Sequence, residues 1–265
     1  MRRLTGNFRT LALVVLLAPL FTGCLAERSL SMDFARSWKA PAILIMVPDV
    51  LLKENLKTGE VDKRKDLSPL ERDSILFFGS EYIQRVSDSA FLEIHVNALV
   101  EELRSQGYVV FWEYALDTFL AWQGEAYILD MAQILLEEFA IPQVEQEIFD
   151  DTLTYYKRFN LNAISINTWF ELSQVNAEEP LRDLLYASHY LQDRLKGNFV
   201  RHPLKGSVTY KYTHIQLDVS DIYRLAGILG KKYAGWITDH LMHAYVRSNM
   251  PENIRPEAWY HFDPV

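Results

Sequence analysis

Pro41-Ala42-Ile43-Leu44-Ile45-Met46-Val47-Pro48 is the stretch from which the fold is read. An unbroken apolar run this short, closed on each side by a proline, fits a buried strand better than a helix. Further on, Phe91, Leu92, Val96, Leu99 and Leu103 recur at helical spacing between Ser89 and Gln106. Asp88 or Ser89 can cap that helix, and Gly107 can end it in the left-handed conformation. Tyr108-Val109-Val110-Phe111-Trp112 follows at once as a second buried strand. Strand 42–47, helix 89–106 and strand 108–112 therefore make an α/β unit. Its two strands are expected to be parallel neighbours, because a crossover helix returns the chain to the same end of the sheet.

Outward from this unit the signals change. Lys53 to Asp66 is charged, contains Gly59, and reads as a mobile loop. Ser68-Pro69 reads as a helix start with proline in the first helical position. Glu125 to Phe139 places Ile128, Met131, Ala132, Leu135 and Leu136 on one side of a second expected helix. From Ala163 to Leu172 the period becomes two: Ile164, Ile166, Phe170 and Leu172 alternate with Ala163, Ser165, Asn167 and Glu171, a half-buried strand. Leu184 to Leu191 and Val208 to Thr213 are also strand-like, and Gly197 and Pro203-Leu204-Lys205-Gly206 supply turns for an antiparallel meander. Asp218 or Ser220 opens a closing helical segment that Gly230 is expected to break, that Lys231 to Asn249 continues, and that Pro251 stops. The expected fold class is α/β to α+β. It comprises a mixed sheet with an N-terminal strand–helix–strand unit, an antiparallel meander and C-terminal helices. A single domain covers residues 40–250, with a tail over 251–265.

The N-terminus has a different character. Arg2, Arg3 and Arg9 precede an uncharged apolar run from Leu11 to Leu20, which is shorter than the roughly 20 residues that a spanning helix needs. Leu20-Phe21-Thr22-Gly23-Cys24 follows, and Cys24 is the sole cysteine. This stretch resembles the bacterial lipobox; the alternative is an ordinary secretory signal with an incidental cysteine. The resemblance implies a signal peptide over residues 1–23, cleavage after Gly23, and a diacylglycerol on the Cys24 sulfur. Residues 24–39 would then be the lipid anchor and tether. One acyl chain holds a protein marginally, whereas two or three on one residue make the attachment permanent. Leu25, rather than Asp, after the cysteine implies the outer membrane, and the absence of an acidic tract there favours its periplasmic face.

Composition narrows the function classes. The chain has 265 residues and a net charge of −8, and loss of the three arginines with residues 1–23 makes it −11. An acidic domain is a poor partner for nucleic acid, whose phosphates demand a basic face. It also lacks the basic surface that adheres to anionic lipids, so membrane contact falls to the acyl chains on Cys24. Apolar residues make up 49% of the chain, enough for a core, and with Cys24 acylated that core forms without disulfides.

The order of elements, carried by Pro41 to Pro48 and Ala90 to Trp112, resembles the α/β domain of envelope lipoproteins of the curli-pore and penicillin-binding-protein-activator kind and the TolB N-terminal domain. That likeness of layout implies a non-catalytic scaffold or accessory subunit that works with an envelope protein partner.

Candidate chemistry is sparse. His240 and His243, three apart on a helix, could reach one ion. Equally, His240 falls on the Trp236–Ile237–Ala244 side, where a hydrogen-bonded core imidazole is expected. Glu137-Glu138 could serve acid–base work, or form a solvated helix face. His95 reads as structural. No phosphate loop, dinucleotide fingerprint or Gly-x-Ser-x-Gly occurs, and no cofactor is expected. Trp169, Tyr186, Tyr190, Tyr210 and Tyr212 lie on expected strands, where aromatics form cross-strand pairs or an exposed platform for a partner or for sugar rings. A glycan- or peptidoglycan-binding module is therefore a second expectation, and a hydrolase using acidic residues a third. Asp73-Ser74-Ile75, Asp88-Ser89-Ala90 and Asp151-Thr152-Leu153 resemble a three-residue O-glycosylation signal.

Overall fold

The computed structural model describes residues 26–57, 59, 66–149, 153–175, 181–255 and 261–264. Cys24 and the signal-like stretch lie outside them, as do Asp151 and Thr152. The elements in chain order are α1 (26–37), β1 (Ala42–Met46), β2 (Leu52–Asn55), α2 (Pro69–Phe78), α3 (Asp88–Ser105), β3 (Val109–Trp112) and α4 (Leu116–Leu120). They continue with β4 (Ala126–Phe149), β5 (Leu153–Val175), β6 (Arg182–Gln192), β7 (Arg194–Arg201), β8 (Val208–Ile215), α5 (Val219–Asn249) and β9 (Asp263–Pro264). The main sheet runs β3-β1-β4-β5-β6-β9, with β2 continuing along β4 beyond β1; β7 and β8 form a separate ribbon. β1 pairs in parallel with both β3 and β4, β2 pairs in parallel with β4, and the pairs β4–β5, β5–β6 and β6–β9 are antiparallel. The fold is α+β.

The strand–helix–strand unit forms as its sequence dictates. β1 is buried except at its last residue, and Ala42 to Ile45 pair with Val109 to Trp112. Ser87, one residue earlier than expected, caps α3 through its Oγ. Asp88 instead pairs with Lys53 at 2.5 Å. Gly107 has φ +95°, the left-handed conformation that ends the helix. α3 and α5 lie on one face of the sheet over Ile43, Ile45, Leu129, Leu136, Ile166 and Phe170. α4 covers the other face at one end only, where Phe119 packs on Ala42, Leu44 and Ala126.

Several expectations are corrected. Glu125–Phe139 is not a helix but the first part of β4, which is paired with β5 along nearly its whole length. The register slips between Asp130 and Gln133. This bulge moves the inward set from Tyr127, Leu129 and Met131 to Ile134 and Leu136. A strand whose alternation changes phase once imitates a 3.6-residue period over that window. Gly230 does not break the closing helix: α5 is continuous, capped by Asp218. The glycine is there because α3 crosses at that point, so a Cβ would stand 2.2 Å from the His95 carbonyl oxygen.

Lys53 and Glu54 belong to β2 rather than to a loop; residues 58 and 60–65 lie outside the described part. The segment expected to be a tether is helical over 26–37. Phe34 is buried against Trp38 and Tyr245, and Trp38 Nε1 donates to Gln106 O at 3.0 Å. The tail also returns to the domain: Phe262 is buried, and β9 pairs with β6.

Candidate functional site

β4 and β5 are far longer than ordinary strands, which run 3–10 residues. No residue of β4 after Glu138 is buried, and none of β5 before Leu161. The two strands remain paired from Ala140↔Asn162 to Phe149↔Leu153. They therefore leave the domain as a two-stranded arm about 35 Å long, at 3.4 Å per residue.

The arm's base is held by buried charge. Glu138 is fully buried where β4 leaves the core. Its Oε1 accepts from Lys57 Nζ at 2.7 Å and from Glu81 N at 2.8 Å, and its Oε2 accepts from Tyr82 N at 2.8 Å and Ile83 N at 3.2 Å. Burial alone would raise this carboxyl. The Lys57 ammonium and the Glu81 and Tyr82 amides outweigh it and hold the carboxyl below its ordinary value. Lys57 Nζ also donates to Asn162 Oδ1 at 2.7 Å. The backbones of Asn162 and Asp193 are linked at 2.8 Å. Asp193, again fully buried, accepts from Asn162 N, Leu217 N and the Tyr82 hydroxyl, and pairs with His214 Nε2 at 3.1 Å. Burial, then the Asp193 charge, push the Tyr82 phenol up. One network thus fixes both the arm and the β7–β8 ribbon, since Asp193 lies directly between β6 and β7.

The ribbon is tied to one face of the arm by aromatic rings. Phe159 contacts Tyr210 at 5.6 Å and Tyr212 at 5.0 Å, and Tyr210 contacts Phe199 at 4.7 Å. Residues pairing across antiparallel strands share a face, and alternate residues share it along a strand. Val144, Ile148 and Tyr156 therefore lie on the face opposite Phe159, and all three are more than half exposed. The arm is thus covered on one side by the ribbon, and on its open side it exposes Val144, Ile148 and Tyr156 together with Gln146 and Arg158.

The expected aromatic platform divides. Trp169 and Tyr186 are register partners on the sheet face away from α3 and α5, with ring centroids 4.8 Å apart. Tyr190, exposed on the same face, stands 6.5 Å from Phe139. Tyr210 and Tyr212 belong to the ribbon, and among the described residues no ring contact joins them to Trp169 or Tyr186. Beside Trp169, Tyr186 Oη donates to Asn167 Oδ1 at 2.9 Å, and Asn167 Nδ2 and Ser165 Oγ donate to Glu137 Oε2 at 2.6 and 2.9 Å.

Glu137 and Glu138 thus face opposite sides of β4 and do not form a carboxylate pair; neither belongs to a solvated helix face. His240 Nε2 lies 2.7 Å from Asp183 Oδ2. His243 is on the same helix, and among the described residues no group of three or more His, Cys, Asp or Glu is placed to hold a metal ion. His95 is fully buried, its Nδ1 donating to Ala226 O at 2.8 Å, and burial lowers its pKa to about 4. Among the described residues no helix is long and apolar enough to cross a membrane. The sequence expectation has no element over residues 140–162. Val144 and Ile148, four apart among Gln143, Glu145, Gln146 and Glu147, give no clear period of two, so little in the sequence marked the arm.

No protein-family model and no curated protein matches the chain. Among solved structures, the crystal structure of a neuraminyllactose-binding hemagglutinin homolog from Helicobacter pylori is similar to 80% of this chain and 91% of its own. The identity is 12% and the TM-score 0.30, too low for the likeness to carry an argument about fold or ligand.

Proposed function

We propose that this chain is a non-catalytic envelope lipoprotein. Acyl chains on Cys24 would hold it at the periplasmic face of the outer membrane, where it acts as a scaffold or accessory subunit by docking a protein partner on the β4–β5 arm. The observation that supports this most is the arm itself: a long paired ribbon fixed at its base by Glu138 and Asp193, presenting Val144, Ile148 and Tyr156 to solvent. Partner surfaces with an apolar centre gain from burying such residues. The test is the native size of the protein in detergent-solubilised envelope. The wild type should travel in a larger complex. The double variant Val144→Asp, Ile148→Asp should be acylated at Cys24 and folded, but should travel alone. A monomeric wild type overturns the scaffold reading, and an unmodified Cys24 overturns the anchor.

A second reading rests on the open sheet face. The half-buried Trp169–Tyr186 pair beside Glu137 combines ring faces with a carboxylate, a combination that sugars use. Titrating peptidoglycan fragments and envelope polysaccharides against tryptophan fluorescence tests it: a response lost in Trp169→Ala supports it, and no response from any of them excludes it.

A further inference from the structure

A cleft of about 370 Å³ opens on the helix-bearing side of the sheet, at the carboxyl ends of β1 and β3. Its position follows from the chain path. The connection from β1 to β3 runs through β2 and α2 and then α3 on one face of the sheet, and the connection from β3 to β4 runs through α4 on the other. Neighbouring parallel strands whose connections part to opposite faces leave a crevice beyond their carboxyl ends, which is where α/β sheets bind ligands. Ile45, Val47, Leu92, Val96 and Trp112 form its apolar walls. Glu93 and Asn97, one turn apart on α3, and Glu113, following β3, supply its polar groups, and no Lys, Arg or His lines it. Glu113 is held in place by Val47 N, which donates to its Oε1 at 3.2 Å.

We infer that this cleft binds a small molecule with an apolar, ring-sized body and a cationic amine head. The body fills the space between α3 and Trp112, and a volume of this size is within the ordinary range for ligand pockets. The ammonium faces Glu93 and Glu113, with the Trp112 ring as a further attractive surface for a cation. An anionic ligand of the same shape would meet two carboxylates and no compensating charge. The cleft is distinct from the arm, and its occupancy does not depend on the scaffold reading.

The experiment is methyl NMR on the full chain with Ile, Leu and Val methyls labelled, titrated with phenethylammonium, 2-phenylethanol and phenylacetate. Phenethylammonium should shift the methyls of Ile45, Val47, Leu92 and Val96 and leave those of the arm unmoved, and it should bind about tenfold more tightly than the alcohol, as charge-assisted contacts do. Phenylacetate should not bind. Glu93→Gln and Glu113→Gln change exposed side chains and keep their shape, and each should bring the amine toward the alcohol's affinity. Equal binding of amine and alcohol overturns the cationic assignment. Silence of the methyls of these four residues toward all three probes overturns the site.

Discussion

Gly230 of α5 lies directly against the backbone of His95 in α3, so closely that a Cβ at position 230 would come within 2.2 Å of the His95 carbonyl oxygen and 3.0 Å of Leu99 N. The two helices of the main layer can approach to this degree only with a hydrogen at that position. Gly230→Ala is expected to destabilise the protein by about 3 kcal/mol, the upper part of the overpacking range, because the opposing atoms are backbone and cannot swing away. Gly227→Ala is the control. Its Cβ would meet only the Ile94 Cγ2 atom at 3.4 Å, an ordinary contact. A gain of about 0.5–1 kcal/mol from the better helix former should show there. Urea denaturation of the two variants measures both.

His95 gives the domain a pH limit. Its ring is buried and neutral, with a pKa lowered to about 4 by burial. The unfolded chain binds that proton near pH 6.5, more readily than the folded one does. Stability is therefore undiminished above about pH 6.5 and falls as the pH drops toward 4, by about 3 kcal/mol in all. His95→Gln, which can still donate to Ala226 O, should weaken this dependence. Melting temperatures across pH 4–7 decide it, and an unchanged slope in the variant rules His95 out as its source.

Glu138 acts in a lower window. Its carboxyl is held below the ordinary value, so its contribution is present above the unfolded carboxylate range near pH 4.3 and lost as the pH falls through the folded value. Glu138→Ala removes the carboxylate from Lys57, leaves three amides without their acceptor and should cost about 3 kcal/mol, as loss of one partner from a buried pair does. Hydrogen exchange should quicken first at Glu81, Tyr82 and Ile83, the amides that the carboxylate now satisfies.

The ribbon should loosen independently of the domain. Phe159 is the ring that Tyr210 and Tyr212 both touch. With each such pair worth about 0.5–1.5 kcal/mol, Phe159→Ala should speed amide exchange in β8 by about tenfold and leave α3 unaffected. Equal protection of β8 in both proteins would show that the ribbon is held by other contacts.

The parts of the fold legible in the sequence are those whose period stays constant. Ala42–Val47, the α3 stripe and the alternation at Ala163–Leu172 each keep one phase, and each forms as expected. β4 was opaque because its bulge at Asp130–Gln133 changes phase, and because a central strand carries apolar residues on both faces. Gly230 read as a break because its reason, the His95 carbonyl, is distant in sequence. The candidate aromatics were legible as strand residues, but not their division: whether Trp169 meets Tyr186 or Tyr212 depends on where Asp193 turns the chain. The burial of Glu138 was hidden for a similar reason, since Lys57 and the Glu81–Ile83 amides come from elsewhere in the chain.

The arm as a docking surface is tested most directly by photo-crosslinking in living cells. A photoreactive residue at position 148 of the arm should give one discrete adduct larger than the protein itself, and the same residue at position 228, exposed on α5, should give none. No adduct from position 148, or the same adduct from both positions, contradicts the account.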